Sequence, residues 1–309
     1  MEWWHAVILG LVEGITEYLP VSSTGHLIIV SSLLGLDDPG RPDHKAALDA
    51  FNIVVQGGAI LAVLGLYWPR VVQMLRGLLG RDPAGLRLAI NLVVAFIPAA
   101  ISGKLLHDWI EAKLFHPGPV TAALIIGGVY MMAIEQWRLG RFGHVSRGGP
   151  AGEGLSVDDI TIPKALFIGM MQCVALIPGT SRSMMTITGG VMARLRPAAA
   201  AEFSFLLGLP TLGAATLYSL YKNLTAGGAG SHAGGAGGAS HGGSPANLFE
   251  VLGVGPVVIG LIVATISAAI AVKWLVAFLN RRGLTPFGWY RIVLGVCLIG
   301  LMLGEVVRR

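Results

Sequence analysis

The sequence is poor in charged residues. Asp, Glu, Lys and Arg together make up 13% of the 309 residues, whereas soluble domains carry roughly 25%. This shortage excludes an ordinary soluble domain, and the 54% share of apolar residues indicates an integral membrane protein instead. Because the apolar residues form long continuous runs rather than alternating at period two, a transmembrane β-barrel is excluded as well. The expected fold class is therefore an all-α integral membrane protein.

Cysteine is also scarce, and a basic stripe is missing. Cys173 and Cys297 both lie in apolar segments, where small buried thiols are expected rather than a disulfide or thiol chemistry. The formal net charge is +5, but no run of basic residues is interleaved with aromatic ones, so we expect no nucleic-acid partner. The Lys and Arg residues stand between apolar runs, which is typical of topology signals and of contacts with anionic lipid headgroups.

Six apolar runs are each long enough to cross a bilayer, which takes about 20 helical residues. They lie near 48–68, 88–106, 119–137, 203–221, 254–275 and 288–306. Two further apolar stretches, near 6–34 and 165–193, are interrupted by polar residues together with proline and glycine. Broken backbone at membrane depth must be covered by protein or by a water-filled cavity. Each interrupted stretch is therefore predicted to be a re-entrant helix-loop-helix.

The two halves of the chain resemble each other. Residues 6–13 align with residues 165–172, an offset of 165 − 6 = 159, and residues 20–23 align with 178–181 after one deletion. Each half then contains one re-entrant hairpin and three transmembrane helices, and three crossings per half make the second half inverted. Inverted-topology repeats build their binding site near the membrane midplane from broken helices, so the two polar tips are predicted to meet.

The predicted organisation is a single polytopic membrane domain. Repeat one covers 1–137, a linker covers 138–162, and repeat two covers 163–309. Residues 223–247 are rich in glycine, which is typical of a flexible tether, and they are assigned to a periplasmic loop. In this arrangement the loops richest in Lys and Arg fall on one face, which the positive-inside rule makes cytoplasmic.

The first polar tip carries groups for acid–base and nucleophilic chemistry. Glu13 and Glu17 are four residues apart and hence share a helical face. Such a pair suits a hard cation or base catalysis, with proton relay in a carrier as the alternative. Three hydroxyls offer nucleophiles, and an imidazole offers an acid or base near neutral pH. These side chains are Ser22, Ser23, Thr24 and His26.

The second tip is basic and rich in hydroxyls. Arg182 at membrane depth needs an anion, and a guanidinium forms bidentate bonds to phosphate oxygens; the alternative is a purely structural pair with Glu13 or Glu17. Gly179 lets the backbone approach a ligand closely, and four hydroxyls add donors. The hydroxyl residues are Thr180, Ser181, Ser183 and Thr186. Together the two tips predict phosphoryl transfer, in which catalysis is mainly positioning and charge stabilisation.

These residues form two motifs that resemble those of the undecaprenyl-pyrophosphate phosphatase family, which is linked to bacitracin resistance. The motifs are Glu13-x-x-x-Glu17 with Pro20-Val-Ser-Ser-Thr-Gly-His26, and Pro178-Gly-Thr-Ser-Arg-Ser183 with Thr186. The resemblance covers essentially the whole chain. It implies hydrolysis of undecaprenyl pyrophosphate to undecaprenyl phosphate, which recycles the carrier lipid of cell-wall synthesis. It also implies a bacterial inner membrane, an active site facing the periplasm, and a divalent cation, Mg²⁺ or Ca²⁺.

The resemblance also implies roles for individual residues. Glu13 and Glu17 hold the cation, and the catalytic residues are Ser23, His26, Glu17 and Arg182. Ser181 and Thr186 match the family's second motif. Together with the other polar residues and the glycine of the two tips, they form the set expected to bind the substrate, which is Ser22, Thr24, Gly179, Thr180, Ser181, Ser183 and Thr186. In the expected mechanism Ser23 attacks the terminal phosphorus while His26 or Glu17 takes its proton. Attack by His26 or by metal-activated water is also open. A homodimer is a further possibility for the assembly.

Two other functions fit parts of this pattern. Inverted repeats with a midplane site are the architecture of secondary transporters, so a polyprenyl-phosphate flippase is the alternative function, and it would release no phosphate. The type-2 phosphatidic acid phosphatases share a Ser-Gly-His-like element and a Ser-Arg pair. That family has a histidine shortly after the arginine, where this chain has Thr188, so it is rejected.

Overall fold

In the computed structural model of the chain, the described residues are 1–36, 42–114, 116–141, 154–226 and 248–304. Within these residues the fold is all-helical, with no strand and one isolated β-bridge, between Leu155 and Leu195. Residues 142–153 of the predicted linker and 227–247 of the predicted Gly-rich loop lie outside the described residues.

Twelve α-helices run through the described residues. They are α1 (Trp3–Thr16), α2 (Ser23–Leu33), α3 (Pro42–Leu66), α4 (Trp68–Leu78), α5 (Pro83–Leu114), α6 (Pro117–Arg138), α7 (Ile162–Val174), α8 (Arg182–Met192), α9 (Pro197–Ala226), α10 (Leu248–Leu252), α11 (Val254–Arg282) and α12 (Thr285–Leu303). A short 3₁₀ helix, Val157–Asp159, precedes α7.

Six of these helices are long and apolar enough to cross a membrane. They are α3, α5, α6, α9, α11 and α12, and their spans begin within a few residues of the six predicted runs. Large apolar side chains cover their outer faces, such as Ile126 on α6 and Ile270 on α11, which are 68% and 65% exposed. Because lipid rather than water suits such a surface, the chain is a multi-pass membrane protein.

Each interrupted apolar stretch forms a pair of short helices. α1 and α2 contain 14 and 11 residues, and α7 and α8 contain 13 and 11, too few to cross a bilayer alone. α1 packs along α11, and α7 packs along α5. Both contacts are close at a glycine, because a Cβ on Gly10 would overlap the backbone of Gly260 and one on Gly169 that of Ala95. Small residues allow this backbone approach between membrane helices.

The segment before α7 is tied to α4 and α9 by polar contacts. Arg70 on α4 forms ion pairs of 2.9 Å with Asp158 and with Glu202 on α9. Hydrogen bonds from the hydroxyl and the backbone N–H of Ser156 hold the pKa of the exposed Asp159 below its usual value. α9 in turn packs on α3 and α8, and its buried stretch contacts Tyr18 after α1 and Arg182 at the start of α8.

Candidate active site

The loops that join the short helices end in the same unusual backbone conformation. Ser22 has φ 72° and Ser181 has φ 74°, in the left-handed region that residues other than glycine seldom adopt. Each serine caps the next helix: Ser22 Oγ accepts a hydrogen bond from the Gly25 N–H, and Ser181 Oγ accepts one from the Met184 N–H. Such strain persists where the surroundings over-determine it, which is common at functional sites.

These caps correct the alignment of the two halves. The predicted one-residue deletion pairs Ser23 with Ser181, but the shared conformation pairs Ser22 with Ser181, so the offset stays at 181 − 22 = 159. The deletion was placed to align two prolines, which do not mark the equivalent backbone positions. In the corrected register Ser23 and Arg182 are equivalent, since each begins its helix. Free N–H groups and the positive end of the helix dipole favour an anion there.

Glu17 joins the two loops. The Ser23 hydroxyl donates to its Oε2 at 2.9 Å, and Arg182 Nη2 donates to its Oε1 at 3.3 Å in a salt bridge. Gln56 Nε2, on α3, also donates to Oε2, at 3.1 Å. The polar groups of the two tips therefore meet, and a hydroxyl lies within hydrogen-bond distance of a carboxylate. That is the arrangement of a nucleophile and its general base.

The guanidinium of Arg182 is held against α9. Nη1 donates to the Ser204 carbonyl at 2.9 Å, and the guanidinium carbon lies 5.4 Å from the centroid of the Tyr18 ring. Gly208 leaves room for it, because a Cβ there would come within 3.2 Å of Nη2. The structural pair with Glu17 considered from the sequence is thus present. Nε, however, is buried and has no hydrogen-bond partner among the described residues, so the group keeps an unused donor there.

His26 is oriented by the loop and by α12. Its Nδ1 lies 2.7 Å from the Ser22 carbonyl, which can only accept, so in the neutral ring Nδ1 carries the proton. Nε2 then accepts from the Tyr290 hydroxyl at 2.7 Å. The two rings stack with centroids 5.6 Å apart and planes 6° apart. The imidazole is therefore bonded to the loop backbone and a phenol rather than to Ser23 or Glu17.

The other predicted hydroxyls of the second tip hold backbone in this structure. Ser183 Oγ donates to the Leu19 carbonyl at 2.8 Å, which ties the second hairpin to the first loop. It also lies 2.9 Å from Ser181 Oγ. Thr180 and Thr186 donate to carbonyls of their own hairpin at 2.6 Å and 2.8 Å. All of these residues except Ser181 are buried. Their hydroxyls therefore fix the conformation of the loop, and the more exposed groups are left to bind a ligand.

Gly179 and Thr24 occupy different kinds of place. Gly179 has φ 90°, and a Cβ there would lie 2.6 Å from the Val120 carbonyl. Because glycine has no side chain, the second loop can pack against α6. The sequence had predicted a close approach of this backbone to a ligand instead. Thr24 is the second residue of α2 and is only partly buried, so it remains accessible at the helix start.

Three residues that complete the site were not predicted. Gln56 and Tyr290 support Glu17 and His26 from α3 and α12, and a lone amide or phenol in an apolar run carries no distinctive signal. Arg291 is fully buried in α12. It could have been found, because the reasoning that singled out Arg182, a cation at membrane depth, applies to it equally.

The carboxylate pair can contribute to a cation site but cannot complete one. Glu13 is 2% exposed, and its Oε2 is buried with no hydrogen-bond partner in the described ranges. Across the described part of the chain, no group of three or more His, Cys, Asp or Glu residues could hold a metal ion. Mg²⁺ often takes only one or two protein carboxylates and completes its shell with waters and substrate phosphates. Glu13 and Glu17 fit that kind of site.

Fold and site together define a polytopic helical membrane protein with a hydroxyl–carboxylate–guanidinium site between two pairs of short helices. Family comparison agrees with that class: the family described as "BacA: Bacitracin resistance protein BacA" matches residues 6–297. The chain belongs to this family, as its two motifs predicted.

Relatives with curated names match over nearly their whole length. The chain is 45% identical to the undecaprenyl-diphosphatase of Sorangium cellulosum, over 97% of this chain and 87% of that one. It is 42% identical to undecaprenyl-diphosphatase 2 of Rhodospirillum rubrum, over 95% and 93%. It is 38% identical to the undecaprenyl-diphosphatase of Clostridium novyi, over 98% and 96%. The similarity therefore covers both pairs of short helices and all six spans.

Proposed function

We propose that this chain is an undecaprenyl-diphosphatase, which hydrolyses undecaprenyl pyrophosphate to undecaprenyl phosphate and inorganic phosphate and so recycles the carrier lipid of cell-wall synthesis. The observation that carries the proposal is the double contact of Glu17 with the Ser23 hydroxyl and the Arg182 guanidinium. A flippase would need a group that grips the anion, but it would not need a hydroxyl placed on a carboxylate. Membership of the family supplies the lipid substrate.

The chemistry begins with an exchange of partners. The terminal phosphate binds at the starts of α2 and α8, where Arg182 turns its charge from Glu17 to the phosphate oxygens. Glu17 then takes the proton from Ser23 through Oε2, which already accepts from that hydroxyl, as the serine oxygen attacks the terminal phosphorus. Oε1, released by Arg182, is left for the cation. The bond to the bridging oxygen breaks, and undecaprenyl phosphate leaves. Water attacks the resulting phosphoserine, and phosphate leaves while Ser23 regains its proton from Glu17.

Ser23 and Glu17 are favoured over the alternatives by their contact. A base must lie within hydrogen-bond reach of the proton it removes, and Glu17 meets that condition at 2.9 Å. His26 is engaged by the Ser22 carbonyl and the Tyr290 hydroxyl. We therefore assign His26 to the surroundings of the phosphate, with its ring held in place by Tyr290.

Glu13 and Glu17 are the residues that would hold a divalent cation, Mg²⁺ or Ca²⁺. When bound, the cation would offset the negative charge of the diphosphate oxygens. We expect a chelator to abolish phosphate release and added cation to restore it. Glu13→Gln should raise the cation concentration for half-maximal activity at least about tenfold, since even outer partners of a metal site change its affinity by 10- to 100-fold.

The cation prediction has a readout besides turnover. Mn²⁺ binding, followed by electron paramagnetic resonance in the presence of inorganic pyrophosphate, should weaken in Glu13→Gln and stay unchanged in Asp158→Asn. Asp158 lies in the 3₁₀ helix and pairs with Arg70, so it controls for loss of a carboxylate elsewhere. Full activity after exhaustive chelation would contradict the prediction.

We also propose that the fold consists of two inverted-topology repeats, each with one re-entrant hairpin and three spans. Repeat one then covers 1–137, the linker 138–162 and repeat two 163–309. The equal offset of 159 between the capping serines and between Gly10 and Gly169 supports the repeat. The shortness of α1, α2, α7 and α8 supports hairpins that return to their own side of the membrane.

The proposed location is the bacterial inner membrane, with the site open to the periplasm. The ion pairs of Arg70 with Asp158 and Glu202 support one shared face for the basic 69–87 segment and the linker, and basic loops stay in the cytoplasm. We also keep the prediction of a homodimer, which light scattering of the detergent-purified protein would test.

The proposed function has a direct test. Detergent-purified protein is incubated with undecaprenyl pyrophosphate, and released phosphate is measured against a mock purification from cells that lack the chain. Release of one phosphate per lipid is the expected result. No release under any cation condition, together with movement of polyprenyl phosphate across reconstituted vesicles, would replace the phosphatase with the flippase.

A further inference from the structure

A second guanidinium lies between the two loops of the site. Arg291, on α12, is fully buried. Its Nη1 donates to the Pro20 carbonyl at 3.4 Å, and its Nη2 donates to the Gly179 and Ala123 carbonyls at 2.8 Å and 3.1 Å. Pro20 belongs to the first loop, Gly179 to the second, and Ala123 to α6. A single side chain thus bonds three separate elements.

Among the residues that the structure describes, no carboxylate balances this charge. Within the described part of the chain Arg291 makes no ion pair, and its Nε has no hydrogen-bond partner. Burying an unpaired charge is costly. Three hydrogen bonds to main-chain carbonyls offset only part of that cost, so stability alone does not explain the buried guanidinium. Unlike an ammonium or an amide, a guanidinium is a rigid planar fork with several donors in fixed directions.

The surrounding helix is shaped to admit that fork. A Cβ on Gly127 would lie 2.6 Å from Arg291 Nη2, and one on Gly128 would lie 3.3 Å from Arg291 Cβ. Gly127 therefore keeps open the space that the fork fills, and Gly128 lets the α12 backbone approach, because a Cβ there would lie 2.6 Å from the Gly288 carbonyl. The glycine pair is unfavourable for the helix by itself, because glycine is a poorer helix former than alanine in a helix interior.

The two loop carbonyls occupy equivalent positions. Gly179 and Pro20 differ by 179 − 20 = 159, the same offset that relates the capping serines Ser181 and Ser22. Each carbonyl stands three residues before the first residue of its helix, which is Ser23 in α2 and Arg182 in α8. Arg291 therefore grips the same point of both loops.

We propose that Arg291 is a positioning residue that sets the spacing between the starts of α2 and α8, and thereby the placement of Ser23 relative to Arg182. The inference rests on the proposed phosphatase function and deepens it. In this proposal Arg291 touches neither substrate nor cation and acts through the two loops. A misplacement of about 1 Å between reacting groups can cost roughly 100-fold in rate, so the spacing has a kinetic consequence.

The first test is Arg291→Met, which keeps the length of the side chain and removes the fork. We expect kcat to fall by about 100-fold with a smaller change in KM, because the phosphate donors of each loop remain. Combining Arg291→Met with Arg182→Lys distinguishes a loss of positioning from general damage to the fold. If Arg291 acts by placing Arg182 against Ser23, the double variant loses less than the product of the two single losses. Losses that multiply would overturn the proposal.

A second variant keeps the charge and crowds the fork, with a looser contact of 3.1 Å to the flexible end of Met184. Gly127→Ala should push Nη2 away from the Gly179 and Ala123 carbonyls and lower kcat by about tenfold. Gly118→Ala, on the same helix, is the matched control, because nothing lies within 4 Å of a Cβ there. This pair carries the test if Arg291→Met does not fold, and equal activity of the two alanine variants would overturn the proposal.

Hydrogen–deuterium exchange provides a readout that does not depend on activity. In Arg291→Met, amide exchange should rise in both segments 17–26 and 176–186 and stay unchanged at the distant bridge between Leu155 and Leu195. Faster exchange in only one loop, or in neither, would overturn the inference. A wild-type protein that releases no phosphate would instead overturn the proposed function, and that result is known before any variant is made.

Discussion

Ser23→Ala is expected to lower kcat by about 10³-fold or more, because the attacking oxygen is removed. The fold should be retained. Glu17 Oε2 keeps its hydrogen bond from Gln56, and the cap of α2 comes from Ser22 rather than Ser23. The measurement is steady-state phosphate release by purified protein, with melting temperature in detergent recorded alongside.

The control for Ser23→Ala is Ser102→Ala. Ser102 donates to Cys173 Sγ where α5 meets α7, so its loss removes a hydroxyl outside the site and should leave turnover unchanged. Rapid quenching of wild-type protein followed by mass spectrometry should place a phosphoryl group on residue 23. An adduct on His26 would make the imidazole the nucleophile. Absence of any adduct, with substantial activity left in Ser23→Ala, would favour direct attack by water.

Arg182→Ala is expected to lower kcat/KM by roughly 10²- to 10³-fold, the usual effect of removing a donor aimed at developing charge. Arg182→Lys should recover part of this loss, because an ammonium keeps the charge but lacks the planar fork. Membrane insertion should be normal, since the six spans do not depend on this residue. Near-normal turnover by purified Arg182→Ala would remove the guanidinium from the mechanism.

Gly208→Ala tests the placement of the same group without removing it. A methyl group there would lie about 3.2 Å from Nη2, so the guanidinium must shift and KM is expected to rise several-fold. Gly213→Ala is the matched control on α9, because the space around that position is open. If the two alanine variants behave alike, the contact between Arg182 and α9 does not position the guanidinium for the substrate.

Much of the architecture could be read from local patterns. The six spans follow from apolar runs, and the two pairs of short helices follow from proline, glycine and polar residues inside such runs. The meeting of the tips followed from the repeat, although the prolines misled the alignment by one residue. Helix starts are governed by cap geometry, and two positive-φ serines were the better guide.

The site was predicted less completely than the fold. The predicted catalytic set was Ser23, His26, Glu17 and Arg182. Glu17 contacts Ser23 and Arg182, whereas His26 contacts the Ser22 carbonyl and Tyr290. Ser183 and Thr186 were predicted as substrate contacts, and in this structure their hydroxyls hold loop backbone. Nothing in a serine or threonine itself distinguishes a ligand donor from a backbone brace, since both roles need the same hydroxyl.

By itself the sequence determined that this chain is a helical membrane protein of the BacA family with an acidic–hydroxyl tip and a basic tip. Those properties depend on residues close together in the chain, so periodicity and spacing reveal them. Only the tertiary structure decided which atoms meet. Arg182 and Glu17 are 165 residues apart, and Arg291 and Pro20 are 271 apart. Contacts at such separations depend on how six spans pack, because the direction of each side chain is set by its neighbours on other helices.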